Sequence, residues 1–188
     1  MNWLVFALVA WVVLGMEVGL RDAFQIGTGG IAPSFLMVLV VFVSLWARPT
    51  ALLGAALVLG VLMDLVHQVP TTDGETAVIV GPWALGCAGG AYAVLSCRTM
   101  MFRRHPITAG ILAAIAGTVA SAIVVALLRV RSSYDGLVFG SAASELWPRL
   151  ASAAYTGVVA VPMSFVLHRL GVLLGFRRQM EAAGGRRD

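Results

Sequence analysis

The sequence predicts an all-α integral membrane protein of six transmembrane helices, formed as a single polytopic domain over residues 1–188. Three observations predict it. The chain is 60% hydrophobic and 12% charged, with a mean hydropathy of +0.92, which is more apolar and less charged than soluble domains. Its apolar residues fall into six runs, about 3–20, 32–47, 51–67, 78–97, 107–129 and 149–168. A helix needs roughly 20 residues to cross a hydrocarbon core of about 30 Å, so a chain of this length has room for about six or seven spans with short loops and none for a separate soluble domain. Finally, the basic residues, all of them arginine, gather in alternate connections.

Taken in order, the first run, Trp3 to Leu20, lacks a basic leader and a small-x-small cleavage site, so it is expected to stay as a helix rather than be removed as a signal peptide. Gly27-Thr28-Gly29-Gly30 reads as a flexible re-entry into the second run. The second and third runs are joined by Arg48-Pro49-Thr50, a tight antiparallel hairpin with proline suited to opening a helix. Two longer connections, Gln68 to Ala77 and Arg131 to Pro148, are expected as outer loops, and the second carries the turn signal Asp135-Gly136. Leu170 to Phe176 either extends the sixth helix or lies at the interface. Cys87 and Cys97 share one helix, where ten residues place them about 15 Å apart, beyond disulfide reach.

Charge sets the orientation. Nine arginines (48, 98, 103, 104, 169, 177, 178, 186 and 187) fall on the side that holds both termini, and four (21, 129, 131 and 149) on the other. The positive-inside rule therefore puts both termini in the cytoplasm. Trp3, Trp46, Trp83 and Trp147 stand near helix ends, as an aromatic belt requires, whereas Trp11 falls mid-membrane. Arg98, Arg103 and Arg104 form the most basic loop, expected to face lipid. Arginines placed between apolar runs point to anionic lipid headgroups as partners, not to nucleic acid.

Small residues mark the expected helix contacts, because close backbone approach drives association in lipid. The fourth run has Gly86 and Gly90, and Gly89 and Ala93, each pair four apart; the fifth has Ala109, Ala113, Gly117 and Ser121; the sixth has Ala153 and Gly157. These predict a compact bundle of the third to sixth helices. Gly60 and Asp64 are also four apart and share one face of the third helix. An acid in such surroundings either marks an ion path or a reaction, or bonds to a neighbouring helix. With no second acid at helical spacing from it and no lysine in the chain, the structural reading is favoured.

Motifs for other chemistry are missing. No His/Cys/Asp/Glu cluster has metal-ligand spacing, no G-x-S-x-G or H-E-x-x-H occurs, and no glycine-rich phosphate loop stands between a strand and a helix. No enzyme activity, cofactor or metal is expected.

The run IAPSFLMVLVVFVSLWARPTALLGAALVLGVLMDLV, followed by GPWALGCAGGAYAVLSCR and an arginine-bearing loop, resembles the rod shape-determining MreD family over about residues 30–130. The matching features are Pro33 before the second helix; Gly54, Gly60 and Asp64 in a third helix ending in G-x-x-x-D; Gly81 and Gly86; and Gly90 with Tyr92 in a small-residue fourth helix. The chain departs from the family at Ser34, often acidic or amide there, and in a longer loop with Asp73-Gly74-Glu75.

The resemblance implies a six-helix protein of the bacterial inner membrane, similar in fold to the substrate-binding subunits of energy-coupling-factor vitamin transporters. It implies a non-enzymatic scaffold of the cell-wall elongation complex, which binds an MreC-like single-span partner and, directly or through the complex, RodA, a class B penicillin-binding protein and the actin-like MreB. The alternative expectation is a solute-binding subunit of a vitamin-type transporter, whose pocket would draw on Asp64, His67, Tyr92, Ser121, Tyr155 and Thr156.

Overall fold

A computed structural model describes residues 2–27, 30–70, 76–98, 105–134, 141–171 and 174–175. Arg103, Arg104, Asp73 to Glu75 and Asp135-Gly136 lie outside the described residues. The chain is mostly helical, with α1 (Trp3–Phe24), α2 (Phe35–Trp46), α3 (Pro49–Val66), α4 (Pro82–Cys97), α5 (Pro106–Arg131) and α6 (Ala142–Gly171). Four of these, α1, α3, α5 and α6, are long and apolar enough to cross a membrane, which makes this a multi-pass all-α membrane protein.

Local chemistry sets the boundaries. Proline opens α3, α4 and α5, where its missing N–H is no loss. The glycine re-entry is a tight turn closed by a bridge between Ile26 and Ile31, with Gly27 and Gly30 at φ 67° and 68°. Three expected boundaries move. Gln68–Pro70 (β1) pairs antiparallel with Thr76–Val78 (β2), so α4 starts at Pro82 instead of 78. The expected loop 131–148 is helical from Ala142. Residues 170 and 171 continue α6.

The core is built around α2. Its sequence, FLMVLVVFVSLW, is apolar on every side, and all twelve residues are buried among the other five helices. At 1.5 Å per residue it is only about 18 Å long, and α4, with 16 residues, about 24 Å. Both are shorter than a hydrocarbon core of about 30 Å.

The most extensive contacts join α5 to α6, α4 to α5 and α3 to α4, and each is made at glycine. A β-carbon on Gly60 would fall on the backbone of Ala84 and lie 2.6 Å from the Trp83 carbonyl oxygen. One on Gly86 would lie 3.0 Å from the Ala120 oxygen, and one on Gly90 2.8 Å from the Ala116 oxygen. Gly117 faces Ala153 in the same way, and Gly110 and Gly157 abut each other's backbones.

Tyr92 does not take part in this packing: it lies on the outside of α4 with 65% exposure. Trp46 is not a belt residue either, being buried with its ring 5.8 Å from that of His168. α1 is the most loosely held helix, attached through Phe6, Val9, Ala10, Val13 and Glu17.

Replacing Gly60 with alanine should push α3 and α4 apart and cost about 1–3 kcal/mol, as overpacking does. Gly15→Ala, where nothing lies within 4 Å, should leave the unfolding midpoint in detergent unchanged. Equal midpoints for the two variants would show that the α3–α4 contact is not close-packed.

Candidate functional site

A helix end leaves backbone N–H groups without partners, and in an apolar interior no water is there to take them. The buried start of α2 meets this demand with three side chains. Ser34 N–H donates to the Thr156 hydroxyl at 2.9 Å, and that hydroxyl donates onward to the Ser152 carbonyl. Phe35 and Leu36 N–H both donate to Glu17 Oε2, at 2.6 and 3.1 Å. Met37 N–H donates to the Ser34 hydroxyl at 3.2 Å, as an N-cap serine allows. Four successive amides are thus satisfied from α1, α6 and the cap itself.

The far end of α2 is held by a cation. Arg98 Nη1 donates to the carbonyls of Ser44 and Ala47, each at 3.0 Å. The expectation that Arg98 belongs to a lipid-facing loop is therefore corrected: its guanidinium turns inward, where α2 offers carbonyls that no turn of helix can satisfy. A carboxylate at the N-terminus and a guanidinium at the C-terminus both match the helix dipole.

Asp64 does for α4 what Glu17 does for α2. Its Oδ2 accepts from Gly81 N–H at 2.8 Å and Ala84 N–H at 3.2 Å, and its Oδ1 from Trp83 N–H at 2.9 Å. Pro82 has no N–H to place. Gly81 sits at φ 131°, where only glycine is unstrained, and this conformation turns its amide toward α3. Gly60, one turn before Asp64, supplies the close approach that brings these amides within reach.

Above α2's buried start is a cavity of about 420 Å³, lined by residues of α1, α2, α3, α4, α5 and α6. Pro33, Ser34 and Met37 line it, as do Ser121 and Thr156. Glu17, Arg21, His67, Glu145 and Arg149 bring charged or ionisable groups to it. His67 Nδ1 lies 3.0 Å from the Met63 carbonyl oxygen, and the imidazole is tilted against the Trp83 ring at 5.1 Å. Arg149 lies over the same indole at 5.9 Å and 3.8 Å from Glu145. Of the six expected pocket residues, His67, Ser121 and Thr156 line the cavity, whereas Asp64, Tyr92 and Tyr155 do not. Gly86 and Gly90 are helix contacts and do not line it.

Glu17, Arg21 and Arg149 belong to the cavity, yet the sequence reading singled out none of them as a site residue. The signal for Glu17 was present, an acid inside the first apolar run, the same reason that drew attention to Asp64.

Substitution separates the two acids. Glu17 uses one oxygen for both amides, so Glu17→Gln can keep both bonds and should be nearly neutral. Asp64 uses both oxygens, so Asp64→Asn, which turns one acceptor into a donor, should be clearly worse. Leucine at either site should be worst, at roughly 1–3 kcal/mol for each orphaned amide. Thermal unfolding of the four variants in detergent checks this order; asparagine as harmful as leucine to activity, with stability retained, would instead mean that Asp64 must ionise in function.

Compared with known proteins, the chain matches no family model, no curated protein and no solved structure.

Proposed function

We propose that this protein is a non-enzymatic scaffold of the cell-wall elongation complex, of the MreD kind. In this reading its six helices lie in the bacterial inner membrane with both termini cytoplasmic, and it binds the transmembrane helix of an MreC-like single-span partner. Through that partner it joins RodA, a class B penicillin-binding protein and MreB. The arginine distribution supports the orientation. The use of Glu17 and Asp64 as helix caps supports a structural role, since both carboxylates are already engaged by amides.

The observation that carries the reading is the outer face of α1. Leu4, Leu8, Trp11, Gly15 and Val18 stand at steps of four, three, four and three and are all exposed. That is the spacing of a coiled-coil seam. Nothing lies within 4 Å of where a β-carbon on Gly15 or Gly19 would sit, so a second helix has room to approach the backbone.

A second reading, a vitamin-type solute-binding subunit similar in fold to those of energy-coupling-factor transporters, is favoured by the 420 Å³ cavity. The two readings differ in what they hold on to. Co-expressed with an MreC-like protein, the chain should purify in detergent as a complex with it. The double variant Gly15→Leu, Gly19→Leu should lose that partner while keeping its own unfolding midpoint. Purification with an ATPase pair and a bound vitamin, and without the single-span partner, would overturn the scaffold reading.

A further inference from the structure

The charged groups that line the cavity are not equally engaged. Glu17 is held by two amides of α2. Glu145 reaches Arg149 only at 3.8 Å and is the more exposed of the two side chains, at 39% against 25%. Arg21 makes no hydrogen bond or ion pair among the described residues beyond its attraction to Glu17 one turn earlier. Arg21 of α1 and Arg149 of α6 both line the cavity, and they are within Coulombic reach of each other and of His67. Two guanidinium groups that reach one partly enclosed space can share a single anion.

A second observation points into the same space. Ser121, only 4% exposed, lines the cavity, and no hydrogen bond reaches its hydroxyl among the described residues. The other buried hydroxyls of this region are bonded: Thr156 serves the start of α2, and Ser44 donates to the Val40 carbonyl. A buried hydroxyl without a partner is the exception in folded proteins and marks a place where another molecule supplies the bond.

We propose that the cavity binds a phosphate group between Arg21 and Arg149, carried on a molecule whose polar remainder reaches Ser121. Two arginine forks on separate helices suit a tetrahedral group with several free oxygens better than a planar carboxylate, which one fork saturates. A volume of about 420 Å³ is that of a site for a small organic molecule, so the phosphate belongs to something larger than a bare ion. The Trp83 ring and the side chains of Met37 and Met63 provide apolar wall for the rest. A phosphorylated solute and a phospholipid headgroup share this chemistry. The inference holds for either reading of the chain's role.

The test uses the full chain in dodecyl maltoside, a detergent without phosphate. One arm titrates glycerol 3-phosphate by calorimetry, and the other adds phosphatidic acid, whose phosphate is likewise a monoester, and reads retained lipid by native mass spectrometry. At least one probe should bind, and the Arg21→Gln, Arg149→Gln double variant should bind it at least about tenfold more weakly, as loss of charge-assisted bonds requires. Binding of the solute alone identifies a soluble ligand, and binding of the lipid alone a headgroup; both support the site. Should the double variant not fold, Arg149→Lys keeps the charge without the fork and should still weaken binding several-fold, with Ser121→Ala as an independent second change. No binding of either probe to the folded protein, or equal binding by the arginine variants, would overturn the proposal.

Discussion

The rest of the structure depends on how α2 ends. A twelve-residue helix buried on every side must place its first amides and last carbonyls inside the bundle, where no further backbone receives them. An unsatisfied amide in such a place costs about 1–3 kcal/mol, so several left open would outweigh the packing gained at any one helix contact. The chain meets the demand with side chains from distant segments, Glu17 and Thr156 at one end and Arg98 at the other. These bonds tie α1, α4 and α6 to the central helix and so fix the bundle as well as the helix. The same arrangement, on a smaller scale, joins α3 to α4 through Asp64.

Shortness has a second consequence. Because α2 stops inside the bundle, the space beyond its N-terminus is not filled by helix, and the longer neighbours wall it in. The cavity and the capping bonds therefore have one origin. The polar side chains needed to finish a buried helix, Glu17, Ser34 and Thr156, become the lining of the space that its early end creates. Glycine makes the complementary contribution, since Gly60, Gly86, Gly90, Gly110, Gly117 and Gly157 let α3 to α6 close on one another and leave α1 with a face of its own.

Much of this was legible in the sequence, and the unread part has physical reasons. The apolar helices, four of them of membrane-crossing length, the Arg48-Pro49 hairpin and the small-residue contacts of α4 to α6 follow from hydropathy and local spacing, which a single sequence displays directly. Asp64 stood out because it interrupts a long apolar helix, and Gly60 because of its fixed distance from that acid. Arg98 looked like a loop cation because charge alone cannot tell a side chain that reaches lipid from one that turns back to a helix end fifty residues away. Tyr92 stood out through the resemblance, as the aromatic residue of a small-residue helix, while the helix phase turns it outward, opposite Gly86 and Gly90. The partnership of Glu17 with Phe35 and Leu36 could not be read from spacing, since the connecting turn could have set α1 against several faces of α2. The cavity was beyond reach for the same reason: it is made by six helices at once.

The most direct test of the account is hydrogen–deuterium exchange of the intact chain in nanodiscs, resolved at residues 34–37. If Glu17, Thr156 and Ser34 finish α2 as the structure describes, the amides of Phe35 and Leu36 should exchange as slowly as those of Leu39 to Val43 in the middle of the helix. Rapid exchange at Phe35 and Leu36, comparable with that of Leu4 at the exposed start of α1, would contradict it.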